Sequence, residues 1–544
     1  MYMKNVKKVL GLSVTSLAVV MLLGGCGSNK KAESSGVKLP DASYKVDKKT
    51  PAWKVDKSKD NQLTWYINAE WWNKKYGTDL ITKQVKKDLN LDIKFIVGDD
   101  TKLNTYFASG DIPDIVTVLD ANSEVARTAN KWALPLQDLA NKYDPYFNEV
   151  ARKETLNWYK LADGKTYGYP NYSNTMADFK SGDIPTHETF IIRQDVLDAI
   201  GPQDFTTPEG FKAGMRAIKA KFPELMPFGF NDMSGDVGAL EKVVQDMLGV
   251  PIKTKDDKFY DRNLDNDYMT WLKTFRQVHE EGNISDDSFT DNGDGFKEKV
   301  SSGKYATIMM GANVNLGNNM QTWLTANPDK AYVAIDGVMS TKGNKPTLQQ
   351  AGLSGWMINY ISQKTKNPAK AIQVFEYLLS DYGEILTNYG IEGKTFNYIN
   401  GDKKSIEWTD EAAKMQSENP DKWQKDYRVA EFIQFGHDRF KTYNKASNVK
   451  AVWQQQAWGQ KYLTPQFEIE NIAPQPGTQE ARSLSAIETK WDTTLVSLIR
   501  AKNDAEFDKV LNDYKAFQEK NHIDKINMIR DKNIKKNIGK LNDN

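Results

Sequence analysis

Apolar positions along the first third of the chain fall into short runs separated by stretches of helical period. Leu63-Thr64-Trp65-Tyr66-Ile67 is apolar enough for a strand, and Leu91 to Val97 alternates as a half-buried strand does. Ile115-Val116-Thr117-Val118-Leu119 is short, β-branched and apolar, which suits a central parallel strand buried on both faces. Helical patterns around Leu80–Leu89 and Lys102–Phe107 lie between these strands, and Gly110 and Pro113 stop the second. Further on, Thr189–Arg193, Ala306–Met310 and Trp356–Ile361 read as strands, with a helix over Gln194–Ile200. Thr207-Pro208-Glu209 predicts a helix start: a Thr cap, Pro in the first turn, then an acid. Pro368–Leu379 predicts a helix with a one-sided apolar face at Ala371, Ile372, Phe375, Leu378 and Leu379. After about Ser405 the chain is helix-rich, and Ala505–Ile538 is a charged amphipathic segment expected to present a solvated face. Strands alternating with helices indicate α/β architecture.

Composition narrows the class. At 544 residues the chain exceeds what one core supports, so two or more lobes are expected. A formal net charge of +1 argues against a nucleic-acid partner. One cysteine gives neither an intrachain disulfide nor a thiolate zinc site, and four histidines leave little for a metal centre, so no cofactor or metal is expected. The N-terminus carries Lys4, Lys7 and Lys8, then an apolar run from Val9 to Leu23: the pattern of a secretory signal, too short for a comfortable membrane span. Leu23-Gly24-Gly25-Cys26 resembles the bacterial lipobox, which implies lipidation of Cys26, cleavage before it and anchorage by acyl chains on the extracellular face of the cell membrane. Residues 26–60 are polar and read as a flexible tether.

Five segments, in order, resemble bacterial extracellular solute-binding lipoproteins of ABC importers, the sugar-type family 1 and its large Firmicute branch. They are Ala108–Val116 (ASGDIPDIV), Asp163–Pro170 (DGKTYGYP), Ile192–Gly201 (IRQDVLDAIG), Asn367–Leu378 (NPAKAIQVFEYL) and Asn388–Lys394 (NYGIEGK). The resemblance implies an α/β, two-lobe periplasmic-binding-protein-like fold of type II. Each lobe is a central β-sheet flanked by helices, with a ligand cleft between them. Lobe one is expected at 61–170 and 351–405, and lobe two at 171–350 and 406–544, after a signal peptide over 1–25. The implied function is capture of an oligosaccharide and its delivery to ABC transporter permease subunits by a monomer without catalysis.

Sugars present C–H faces, which aromatic rings cover, and hydroxyl rims, which carboxylates and amides satisfy; in α/β sheets such sites lie beyond the carboxyl ends of strands. Glu70, Trp71 and Trp72 follow the first strand, and adjacent tryptophans there cannot both face one core. Asp120 and Asn122 follow the third strand, at a position the resemblance associates with sugar contacts. Tyr172, beside Tyr169 and Asn171, lies at the first crossover; Phe230 and Asn231 follow Pro227 and Phe228, next to Asp232; Asn313, with Asn315, follows Ala306–Met310; Trp356 opens a returning strand. Core packing is the competing reading for each, more strongly for Phe228 and Trp356. His437 and Arg439 are rim candidates, whereas Trp271, Trp423 and Trp491 sit in helical patterns and are expected in the core.

No G-x-S-x-G, H-E-x-x-H or P-loop occurs, and Asp291-Asn292-Gly293-Asp294-Gly295 lacks the spacing of a calcium loop. Two other classes stay open on sequence: a cell-surface glycoside hydrolase using two carboxylates, and a receptor for a peptide or other polar solute.

Overall fold

The computed structural model describes residues 39–72, 75–182, 184–235, 238–290, 293–427 and 450–542. Cys26, His437, Arg439, Asp291 and Asn292 lie outside them. Two sheets organise the chain. The first contains β1 (Asn61–Ile67), β2 (Leu91–Val97), β3 (Ile115–Val118), β4 (Gly168–Pro170) and β9 (Ile358–Ile361), in the order β2-β1-β3-β9-β4. Strands β2, β1 and β3 run parallel, while β9 is antiparallel to both β3 and β4. The second sheet, in the order β6-β7-β5-β8, contains β5 (Thr189–Arg193), β6 (Met226–Phe230), β7 (Tyr305–Met310) and β8 (Tyr332–Ala334). The chain therefore leaves the first sheet after β4, builds the second, and returns at β9.

Local chemistry fixes the first sheet. Every residue of β3 is buried, as a parallel strand covered on both faces requires. Asp114, just before β3, accepts hydrogen bonds from the backbone N–H and hydroxyl of Thr64 on β1, both at 2.7 Å, and so sets the register of the two strands. A polar thread crosses the sheet interior: Trp65 Nε1 donates to the Thr117 hydroxyl, which donates to Asn359 Oδ1, each at 2.7 Å.

The helix Pro368–Leu379 starts as its sequence directs, with the Asn367 side chain capping the N–H of Lys370. Its burial differs from the expected single face: Lys370, Gln373 and Glu376 are buried along with the apolar positions. The cause is the segment expected to be tether. Residues 39–60 pack over this helix and its neighbours. The Tyr44 hydroxyl donates to the Tyr143 carbonyl, the Tyr143 hydroxyl donates to the Pro40 carbonyl, and the N–H of Ala52 donates to Asp144. The Trp53 ring meets Tyr377 edge-on at 5.2 Å. Asp56 pairs with Lys370 at 2.9 Å, with both side chains almost fully buried. Mean polarity hid a few well-spaced anchors, and these are enough to order the stretch.

The second sheet is covered by the helices Pro208–Lys221, Asn266–Glu280 and Gln479–Ile499, which bury Phe211, Trp271 and Trp491 in one core. Trp423 is buried too, but beside the first sheet. The helices Asp410–Glu418 and Pro420–Asp426 supply Ala412 and Trp423 to that core, although this stretch was expected with lobe two. They follow a hairpin of β10 (Phe396–Ile399) and β11 (Ser405–Trp408), and Trp408 meets Trp423 edge-on at 5.7 Å. The charged tail is two helices, Asp504–Lys520 and Ile523–Asn542, and the last of these ends against the first lobe. Among the described residues no helix is long and apolar enough to cross a membrane.

Burial pushes the Asp56 carboxyl up, but hydrogen bonds from Lys370, Ser58 and Gln373 outweigh it and hold the group below the usual carboxylate range. Replacing Lys370 by Met strands that charge in the interior. Lys370→Met is expected to lower stability by about 3–5 kcal/mol and to expose the segment 39–57 to proteolysis, as read by urea unfolding and limited digestion.

Candidate ligand-binding site

Strand β1 ends in a tight turn: the N–H of Ala69 donates to the Ile67 carbonyl, and that of Trp72 to the Ala69 carbonyl. This turn sends the two tryptophans in opposite directions. Trp72 is 1% exposed and packs edge-on against Phe95 at 4.7 Å, so it is a core ring rather than a ligand contact. Trp71 is 61% exposed. Its ring lies at 6.2 Å and 25° from that of Trp356, which is 41% exposed. All fourteen tryptophans are described, and these two are the exposed ones. Glu70, beside them, is exposed.

Trp356 belongs to the crossover that returns to β9, and the opposite crossover holds it. Asn171 Oδ1 accepts from the N–H groups of Trp356 at 3.1 Å and Met357 at 2.7 Å, while the N–H of Asn171 donates to the Met357 carbonyl. Gly355, at φ +58°, is required here: a Cβ would come within 1.9 Å of the Asn171 carbonyl oxygen. Tyr172 is half-buried at φ +43°. Tyr169 is wholly buried, its hydroxyl accepting from the N–H of Arg152.

The same junction contains residues that no local sequence signal marked. Tyr159 donates its hydroxyl to the Ser354 carbonyl at 2.7 Å, and Trp158 Nε1 and Asn471 Nδ2 both reach the Ser354 hydroxyl. Glu470, half-buried, accepts from the N–H groups of Leu353 at 3.2 Å and Ser354 at 2.7 Å. Burial pushes its carboxyl up to about 7 against the pull of these bonds. These partners lie more than a hundred residues apart in sequence, so only the fold brings them together.

Beyond β3, Asp120 is exposed and its side chain accepts from the backbone N–H of Asn122 at 2.7 Å, an Asx turn that orients the Asp120 carboxylate. Burial first, then the charges of Glu470 and Asp120, push the Tyr159 hydroxyl up, which places Asp120 electrostatically near the junction. In the second lobe, Asn231 is half-buried, and its Oδ1 accepts from the N–H of Gly311. Phe230 is 3% exposed within a cluster of Phe228 and Phe289, and Asn313 is buried with its amide donating to the Thr186 carbonyl. Expected to contact ligand, Phe230 and Asn313 are instead enclosed within the lobe: Phe230 packs among Phe228 and Phe289, and Asn313 is buried with its amide N–H committed to Thr186. Asp232 and Asn315 are exposed. Among the described residues no group of three or more His, Cys, Asp or Glu is placed to hold a metal ion.

No family model matches the sequence, and no curated protein matches it significantly. Solved structures do. The chain is similar to the alginate-binding protein AlgQ2, with TM-score 0.63 and 17% identity over 88% of this chain and 98% of that one. It is similar to an extracellular solute-binding protein from Bifidobacterium longum subsp. infantis, with TM-score 0.64 and 15% identity over 87% and 98%. It is also similar to the S. pneumoniae ABC-transporter substrate-binding protein FusA, solved with kestose, with TM-score 0.62 and 17% identity over 88% and 99%. The fold is thus the two-lobe α/β fold of solute-binding proteins, spanning nearly the whole of each relative.

Asn171→Ala leaves the N–H groups of Trp356 and Met357 without their acceptor. It is expected to lower stability by about 1–3 kcal/mol and to raise quenching of tryptophan fluorescence by iodide as Trp356 loosens, whereas Asn171→Asp, which keeps the acceptor, restores both readings.

Proposed function

We propose that this protein is a substrate-binding protein that captures an oligosaccharide between its lobes and delivers it to the permease of an ABC importer. One observation carries the reading: the two exposed tryptophans of the chain, Trp71 and Trp356, lie parallel to one another, one at the carboxyl end of β1 and the other in the interlobe crossover. Leaving two large rings in water is unfavourable unless a partner covers them, and the C–H face of a sugar is the surface that suits a flat ring with polar groups beside it. Glu70, Asp120, Asn122, Tyr172 and Asn231 are the polar candidates for the hydroxyl rim. The structural relatives support the same chemistry, since the proteins named bind alginate and kestose.

In this reading the chain divides into lobe one, built on the first sheet, and lobe two, built on the second, with residues 410–426 assigned to lobe one. Ligand contacts on both lobes favour the closed arrangement, which the permease recognises, and no bond is broken. Cys26 carries the lipid that holds a monomer at the extracellular face of the membrane. Cys26→Ala should release the protein into the medium with its sugar binding intact, as read by fractionation and immunoblotting.

Isothermal titration across an oligosaccharide panel tests the proposal. At least one saccharide should bind saturably, and Trp71→Ala or Trp356→Ala should weaken it about tenfold or more, from loss of roughly 1.5–3 kcal/mol of ring burial. Absence of saturable binding across the panel, or release of hydrolysed product, overturns it.

A further inference from the structure

A cavity of about 180 Å³ adjoins the carboxyl end of β3 and is closed on its far side by the C-terminal helix Ile523–Asn542. Its lining is unusual in charge. Arg127 and Lys160 come from the first lobe, Lys536 and Lys540 come from the C-terminal helix, and no Asp or Glu lines it. None of these four cations is ion-paired with a carboxylate among the described residues, in a chain whose 73 basic and 72 acidic residues are nearly balanced. Arg127 spends its Nε on the Asn122 carbonyl, 2.9 Å away. Lys160 and Lys536 are exposed at the cavity rim. Lys540 donates to the Trp158 carbonyl and stands 5.0 Å from the centre of that ring. Burial, then the charge of Lys536, brings its ammonium down to about 8.

Gathering like charges around a partly enclosed space raises the energy of the empty pocket, and an oxyanion removes the repulsion while accepting several charge-assisted hydrogen bonds. Amides supply the rest of the polar lining, among them Asn122 and Asn471, and Tyr159 and Trp158 form an aromatic side. Rings and amides suit a sugar, and four cations suit an anionic group upon it. The cavity also spans two pieces that the hinge joins, since Asn471 bonds the crossover residue Ser354 and Asn537 bonds the carbonyls of Glu468 and Glu470.

We propose that this cavity is a subsite for an oxyanion carried by the saccharide, the carboxylate of an acidic sugar residue, held between Arg127 and Lys160 on one side and Lys536 and Lys540 on the other. The inference rests on the oligosaccharide-receptor reading and narrows its substrate class to acidic saccharides.

The test uses the mature chain with short oligogalacturonides, their fully methyl-esterified neutral counterparts, sulfated galacto-oligosaccharides that carry no carboxylate, and inorganic sulfate alone. The acid form is expected to bind about tenfold or more tightly than the ester, the gain of a single charge-assisted contact. The double variant Lys160→Gln/Lys536→Gln, both on exposed side chains that the fold does not use, should abolish that preference. Sulfated fragments binding better than the uronates would overturn the carboxylate assignment. Equal binding of acid and ester, or a preference that survives in the variant, overturns the subsite while the receptor reading stands. If no saccharide binds, the receptor reading fails, and sulfate decides the site. A rise in melting temperature over chloride at matched ionic strength, lost in the variant, supports an oxyanion site; its absence overturns it.

Discussion

The structure depends on satisfying backbone at the place where the chain crosses between its two sheets. Two crossings meet a third returning segment there, in a region too buried for water to solvate every N–H, and an unmet buried donor costs about 1–3 kcal/mol. Two side chains solve most of the problem. Asn171 takes the N–H groups of Trp356 and Met357, and Glu470 takes those of Leu353 and Ser354. The fit leaves no spare volume: a Cβ at Gly352 would lie 1.7 Å from the Glu470 carboxylate, and one at Gly355 would meet the Asn171 carbonyl. The crossing is thereby specified to one backbone path, and Trp356 is carried on that path.

From this constraint the ligand site follows. A ring on a freely moving loop would lose conformational entropy when it met a sugar, whereas Trp356 is placed beforehand by the hydrogen bonds of its own backbone. Trp71 is placed from the other direction by the turn after β1, whose companion Trp72 is locked against Phe95. Burying one tryptophan therefore presents its neighbour. The pairing of an immobile core ring with an exposed one turns a local packing decision into a binding surface.

Much of this was legible in the sequence where the signal is local. β2 and β3 begin where their apolar patterns do, the Thr207 cap and Pro208 start their helix as read, and the single exposed member of the Trp71–Trp72 pair follows from the impossibility of facing both inward. What escaped was long-range. Residues 39–60 look like linker by average polarity, yet Tyr44, Ala52, Trp53 and Asp56 each find a partner far along the chain. Phe230 and Asn313 have ligand-like chemistry at the correct ends of strands, but neighbours from other elements cover them, and nothing within either strand reports those neighbours. Trp356, a ligand candidate with core packing as its strong rival, opens an apolar run and still remains in solvent, because the bend at Gly355 turns it outward before β9 begins. Glu470 carries no motif at all, and its importance is visible only once Leu353 and Ser354 stand beside it.

The C-terminal helix Ile523–Asn542 ties the second lobe to the crossing. Ile526, near its start, is buried in the core of the second lobe, whereas Leu541, near its end, joins the small cluster of Trp158, Phe179 and Leu353 at the junction. Between them Asn537 grips the carbonyls of Glu468 and Glu470. The helix thus links the core of the second lobe to the junction, with Lys536 and Lys540 at its junction end. Residues that line the cavity beside β3 thus sit on the element that joins the two.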